Sequence, residues 1–271
     1  MVAKLLVFFI PWMKCKSIAG CKVIGGNMDR IRQDGIKRYE LYQQSLKWLA
    51  HHNQHLVLKS LVSFKDYEVS YVVVNPLCKT TIFIMSGTHG DEPGSPCGVL
   101  KWLNQPIVAD KKIVIVPLAN PYGFIHEVRH DQNQKDLNRH FLDHSSTKTN
   151  RAVARLMKEV RPDLLLDLHE DKSKKGFYLY ASIHTEKLLI IKAKKVASQF
   201  FEPLQQSTIY KNKLNDGVVI EPPSKHPKTL DGYAFRNGIP YITLEAPGKH
   251  PLSRSEEHTS ELQSPCNLVC R

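Results

Sequence analysis

Three runs in this chain are too short for helices and too continuously apolar for half-exposed strands. They are TIFIMS (Thr81–Ser86), KIVIVP (Lys112–Pro117) and DLLLDL (Asp163–Leu168). Each is bounded by turn-forming or polar residues and reads as a strand covered on both faces, the condition of strands inside a parallel sheet. A fourth strand is YITL (Tyr241–Leu244). Helical signals fall between these runs. Tyr39, Tyr42, Leu46 and Leu49 recur at steps of three and four, and Val153, Leu156, Met157 and Val160 mark one face of a helix that follows Asn150 and stops at Pro162. Shorter helices are expected at Gly98–Asn104, Leu188–Phe200 and Asp231–Asn237, with a turn at Gly238. His55–Phe64 and Tyr67–Val74 flank Lys65-Asp66 and read as a hairpin, and Phe177–Ala181 as one more strand. Alternation of this kind predicts an α/β sandwich with a mixed, largely parallel sheet.

The two ends are expected to lie outside that domain. Residues 254–264 read RSEEHTSELQS and residues 267–271 read NLVCR, which resemble the in-frame translation of a sequencing-library adapter with an index between its halves. The domain is therefore expected over residues 28–253, C-terminally truncated, with 254–271 as an adapter-derived tail. Residues 1–27 read as a leader or a misassigned start. Lys4, the apolar stretch Leu5–Met13 and the box Ile18-Ala19-Gly20-Cys21 suit export as a lipoprotein. Pro11, Lys14 and Lys16 argue against it and for a cytoplasmic protein.

No uninterrupted apolar run approaches the roughly 20 residues of a membrane-spanning helix. Six cysteines without a CxxC pair exclude a cysteine-only zinc module, and nothing in their spacing implies a bridge. With 38 Lys+Arg against 26 Asp+Glu the net charge is +12, which favours acidic partners. The densest basic runs, KSKK at 172–175 and KAKK at 192–195, accompany no nucleic-acid motif and read as solvated surface.

In an open α/β sheet the working residues collect beyond the carboxyl ends of the strands. TIFIMS leads into Gly87-Thr88-His89-Gly90-Asp91-Glu92, where His89 and Glu92 stand close enough to hold one metal ion. Alone, that pair marks only a polar loop. DLLLDL, however, ends in His169, and two imidazoles with one carboxylate fill three corners of a tetrahedral zinc site, leaving the fourth for water or substrate. DLNR (Asp136–Arg139) sets a guanidinium beside an amide, and Arg139 can grip a carboxylate through two parallel N–H bonds while Asn138 adds a donor. Arg129 lies in the loop before it, and read alone each arginine is a solvated surface charge. YITL ends in Glu245, a solvent-facing terminus or, opposite the metal, a general base.

HGDE (His89–Glu92), DLNR, DLHE (Asp167–Glu170) and TLE (Thr243–Glu245), in that order, resemble the zinc carboxypeptidases of the carboxypeptidase A type and the related succinylglutamate desuccinylase and aspartoacylase group. The resemblance implies a three-layer α/β/α sandwich and a single Zn2+ held by His89, Glu92 and His169. It implies Glu245 as base and proton shuttle, Arg129 polarising the scissile carbonyl, and Asn138 with Arg139 clamping the substrate carboxylate. Asp136 would accept a hydrogen bond from the ring of His89. The tyrosine that larger members present over the substrate has two candidates, Tyr210 and Tyr233.

The expected activity is hydrolysis of an amide bond next to a free carboxylate in short peptides, small murein peptides among them. Deacylation of an N-acyl amino acid is the rival within hydrolases. A non-catalytic peptide- or carboxylate-binding module is the rival outside them. No nucleic-acid partner is expected, and the oligomeric state is left open.

Overall fold

The computed structural model describes residues 34–105, 111–141, 146–221 and 227–248. The leader expected at 1–27 and the adapter-like tail at 254–271, with Cys15, Cys21, Cys266 and Cys270, lie outside the described residues. In chain order the elements are α1 (Gly35–His52), β1 (Leu56–Ser63), β2 (Glu68–Val74), β3 (Thr81–Ser86), α2 (Gly94–Leu103), β4 (Lys112–Val116) and α3 (Pro121–His126). A 3-10 turn at Leu137–Arg139 follows, then α4 (Lys148–Val160), β5 (Leu164–Asp171), β6 (Tyr178–Ser182), α5 (Lys187–Ala197), β7 (Thr208–Ile209), β8 (Asn212–Lys213), β9 (Val218–Glu221), α6 (Leu230–Arg236) and β10 (Tyr241–Pro247).

Eight strands form one sheet in the order β1-β2-β4-β3-β5-β10-β6-β9. Its centre is parallel, β4 to β3 to β5 to β10, because helical crossovers connect those strands. β2 and β6 run against this centre, with β1 pairing antiparallel to β2 and β9 pairing parallel to β6. β7 and β8 make a separate two-stranded ribbon.

Strand periodicity assigns the two faces. Ile82 and Ile84, Leu164, Leu166 and Leu168, and Ile242 and Leu244 pack with α1, α2, α3 and α5. Phe83 and Met85, Leu165 and Tyr241 pack with α4 and α6 on the other face. Two helical layers around one sheet make the three-layer α/β/α sandwich that the motifs imply. α1 is held by its period-matched face and by its start, where the Asp34 carboxylate accepts the N–H groups of Ile36 and Lys37. The fully buried Tyr42 hydroxyl shares its proton between the carbonyls of Pro96 and Pro117, tying α1 to α2 and to the end of β4.

Three boundaries differ from expectation, each for a tertiary reason. Helix α2 begins at Gly94, a turn earlier than Gly98, because its first N–H is capped from another strand, as described below. β5 runs on to Asp171 and β10 to Pro247, because they pair along their whole length, from Tyr241 with Leu165 to Pro247 with Asp171. His169 and Glu245 are therefore inside strands, not just beyond them.

Candidate metal centre

After β3 the chain turns at Gly87 (φ +64°) and enters a loop pressed flat against α3. A Cβ on Gly90 would overlap the carbonyl carbon of Gly123, so only glycine permits this approach. The loop delivers His89 and Glu92, both buried, and the parallel neighbour β5 delivers His169. Candidate ligand atoms of the three lie within 4.8 Å of one another.

The orientation of the rings is specific. Nδ1 of His89 is 2.6 Å from Glu92 Oε1, and Nδ1 of His169 is 3.0 Å from Glu92 Oε2. Both Nε2 atoms face the other way, His89 toward Asp136 Oδ1 at 3.2 Å and His169 toward Asp167 Oδ2 at 3.0 Å. A carboxylate behind each ring fixes the tautomer that leaves the other nitrogen as a lone-pair donor, the usual arrangement around metal-ligating histidines. Burial alone would raise the Glu92 carboxyl, but the two imidazoles outweigh it and hold it well below the usual carboxylate range. Burial opposes a charge on His169, and Asp167 and Glu92 overcome that and raise its proton affinity. A site that draws positive charge between two buried carboxylates, with two aligned nitrogens, suits a divalent cation in place of the proton. The donor set N, N and O is one that zinc accepts.

Asp136 joins the site to its surroundings. Oδ1 accepts the Asn138 N–H and faces His89, while Oδ2 accepts from Arg129 Nε at 2.9 Å. Its carboxyl is raised by burial and lowered, more strongly, by His89 and Arg129. Arg129 is also held through its carbonyl, which accepts from Asn120, the residue that caps α3. Its Nη1 reaches 3.6 Å from Glu92 Oε1, so the guanidinium stands at the edge of the ligand cluster. Asn138 Oδ1 accepts the Leu230 N–H at the start of α6, and Arg139 Nη1 donates to the Asn138 carbonyl.

Glu245 pairs with His169 on β5 and with Tyr178 on β6, so its carboxyl projects from the same face beside the ligands. It is half-buried, and desolvation pushes it up to about 8; His169 works against the rise, and Glu92, Asp171 and Asp167 add to it. Together with His89, Glu92, Arg129, Asn138 and Arg139 it lines a pocket of about 490 Å³. His169 and Asp136 stand behind that lining, in contact with Glu92 and His89 respectively. All eight residues singled out from the sequence thus meet at one place.

The two tyrosine candidates separate. Tyr233 packs on α4, its hydroxyl donating to the Ala154 carbonyl, whereas Tyr210 is at the pocket mouth, its hydroxyl donating to Asp171 Oδ2 at 2.8 Å. Three contributors escape the sequence reading. Asp167 is marked there only by its place in a motif, though its position two residues before His169 in one strand puts both side chains on one face. Glu170 points to the opposite face. Its N–H donates to Glu92 Oε2, and its own Oε1 accepts the first N–H of α2, from Gly94, at 2.5 Å. Tyr178 donates to the same Asp171 oxygen as Tyr210, and no motif marks it.

The sequence model of the succinylglutamate desuccinylase/aspartoacylase catalytic domain matches residues 78–254. No curated protein sequence matches the chain. Among solved structures, a candidate metallopeptidase from Shewanella amazonensis SB2B superposes with a TM-score of 0.70 at 18% identity, over 80% of this chain and 87% of that one. One from Shewanella denitrificans OS217 gives 0.69 at 20% identity, over 80% and 84%. A metallo-carboxypeptidase from Pseudomonas aeruginosa, in complex with (2-guanidinoethylmercapto)succinic acid, gives 0.56 at 17% identity, over 77% of this chain and 59% of that one. At these identities the likeness is one of fold.

Proposed function

Because the chain belongs to the succinylglutamate desuccinylase/aspartoacylase catalytic-domain family, we propose that it is a zinc-dependent hydrolase of an amide bond next to a free carboxylate. One observation carries this reading: a half-buried carboxyl, Glu245, stands in register with His169 at a pocket that Arg129, Asn138 and Arg139 also line. A purely structural metal site has no use for a base, a cationic donor and an anion clamp around one cavity.

His89, Glu92 and His169 would hold the zinc, which when bound supplies Lewis acidity toward a carbonyl and lowers the pKa of water. Arg139 and Asn138 take the terminal carboxylate and so orient the amide. Arg129 donates hydrogen bonds to the carbonyl oxygen as negative charge builds there; losing one such donor typically costs on the order of 10²–10³ in rate. Glu245, whose raised proton affinity suits the role, takes the proton of the attacking water and delivers it to the leaving amine.

Short peptides are the leading substrates. The Pseudomonas carboxypeptidase holds a succinic acid derivative, and a small carboxylate-bearing substrate is the counterpart proposed here. The family match favours the second reading, removal of an acyl group from an N-acyl amino acid. A panel of short peptides and N-acyl amino acids, run with added zinc and again with a chelator, separates the two. Chelator-sensitive release of an amino acid is expected, with Glu245→Gln retaining zinc and losing activity by at least about 10²-fold. A Glu245→Gln protein with near-normal turnover would contradict the role, and binding without hydrolysis across the panel would favour the non-catalytic module.

A further inference from the structure

We propose that the end of the sheet opposite the metal centre is a docking face for a bilayer surface rich in anionic lipid. The proposal concerns a different part of the molecule from the pocket and holds whatever that pocket hydrolyses.

The topology collects the face. β3, β4, β5 and β10 all begin there, and the antiparallel β2 and β6 end there. Two connections at its margins expose apolar side chains. In the turn after β2, Leu77 is 97% exposed. In the turn after β6 and the first half of α5, Ile183, Leu188 and Ile191 are each more than half exposed. β2 and β6 are five strand spacings apart in the sheet order, about 24 Å. Two apolar footholds at that separation, at one end of one sheet, suit a broad, level surface better than a single helix.

Each foothold has cations beside it. Lys79 follows Leu77, and Lys187 and Lys192 adjoin Leu188 and Ile191; all three lysines are exposed. Between the footholds lies a cavity of about 360 Å³, which Leu188, Lys111 and Lys192 help to line. Asp163 and Glu186 line it too, but one oxygen of Asp163 already accepts the Thr81 N–H. Lys79 and Lys187, outside the cavity, leave these residues with a net positive charge. Exposed aliphatic groups flanked by lysine are what an acidic bilayer interface accommodates: the side chains enter the acyl boundary and the ammonium groups stay with the phosphates. A nucleic acid matches the lysines but offers no apolar layer to the leucines and isoleucines. Among the described residues no helix is long and apolar enough to cross a membrane, so the contact is peripheral. Docked this way, the protein turns the carboxyl ends of its parallel strands, and with them the pocket of Glu245, away from the lipid.

The test is co-sedimentation of the full chain with vesicles of phosphatidylcholine, or of an equal mixture of phosphatidylcholine and phosphatidylglycerol, at physiological salt. Retention on the mixed vesicles is expected to be at least about tenfold stronger, and to fall as salt is added. Leu77→Ser/Leu188→Ser and the charge reversal Lys187→Glu/Lys192→Glu should each lower the partition coefficient at least about tenfold. The matched reversal Lys65→Glu/Lys175→Glu, at the opposite end of the sheet and beyond a screening length, should leave it within about twofold. All six side chains are exposed, and an unchanged urea midpoint confirms that each variant is folded. Should one pair disturb folding, the other still decides. Equal retention on the two vesicle types, retention on neither, or a loss in K65E/K175E as large as in K187E/K192E overturns the proposal. So does retention that neither foothold variant lowers, which would assign it to the apolar stretch Leu5–Met13. Duplex DNA bound in preference to the mixed vesicles, with L77S/L188S unaffected, would make this a nucleic-acid surface and equally overturn it.

Discussion

Replacing Asp167 with asparagine should weaken zinc binding by roughly 10–100-fold, the usual effect of removing a carboxylate behind a metal-ligating histidine. That range corresponds to about 1.4–2.8 kcal/mol. The structure places Asp167 near its upper end. Its carboxylate is 1% exposed and 3.0 Å from His169 Nε2, where solvent screens little of its charge. Asparagine keeps the shape and one acceptor oxygen, so the ring can stay oriented while the charge is lost. Asp136 provides an internal comparison. It stands 3.2 Å from His89 Nε2, its side chain is 16% exposed, and Arg129 already neutralises part of its charge. Asp136→Asn should therefore fall near the lower end. Competition against a chromophoric zinc chelator, with metal-stripped protein at fixed pH, gives both affinities, and urea unfolding checks that each variant is folded. A D167N affinity within threefold of the parent would refute the reasoning, as would a larger loss in D136N than in D167N.

Other outcomes follow from contacts already described. Gly90→Ala should cost about 3 kcal/mol in urea unfolding, since its Cβ would overlap the Gly123 backbone and no side chain can move aside. An unchanged midpoint would mean that the loop is not pressed on α3. Tyr210→Phe should raise KM several-fold with little change in stability, whereas Tyr233→Phe should lower stability by about 1 kcal/mol and leave KM unchanged. Arg139→Ala should reduce kcat/KM for substrates with a free carboxylate at least about tenfold more than for their amides, and equal losses would place the clamp elsewhere.

The strands at the centre of the sheet are legible in the sequence because burial on both faces leaves a plain mark, as in TIFIMS and DLLLDL. The helix of Tyr39, Tyr42, Leu46 and Leu49 is legible because one buried stripe has a helical period. The candidate metal-binding trio is legible through the joint presence of His89, Glu92 and His169 near the carboxyl ends of two apolar runs, each residue being weak alone. What stays hidden depends on partners distant in the chain. Helix α2 has Pro93 at its cap with no side-chain bond, and the missing acceptor is Glu170, 76 residues away, so no local signal marks its start. The ribbon β7–β8 turns at Tyr210 and Lys211, both with positive φ, without the glycine or asparagine that usually announces such a turn. Thr243 reads as ordinary strand filling, because nothing in YITL tells which of its side chains faces a cavity.

With zinc held as proposed, the interlocking of β3, β5 and β10 makes metal uptake a gauge of assembly. Since neighbouring residues on β5 project to opposite sides, sliding that strand by a single step would bury Leu168 or Glu170 where an imidazole belongs, without altering the content of helix and sheet. Spectra that count secondary structure would not register the mistake, but a zinc titration would. Stoichiometric loading can therefore serve as a quality criterion for refolded or redesigned preparations of this protein, more demanding than any measure of compactness.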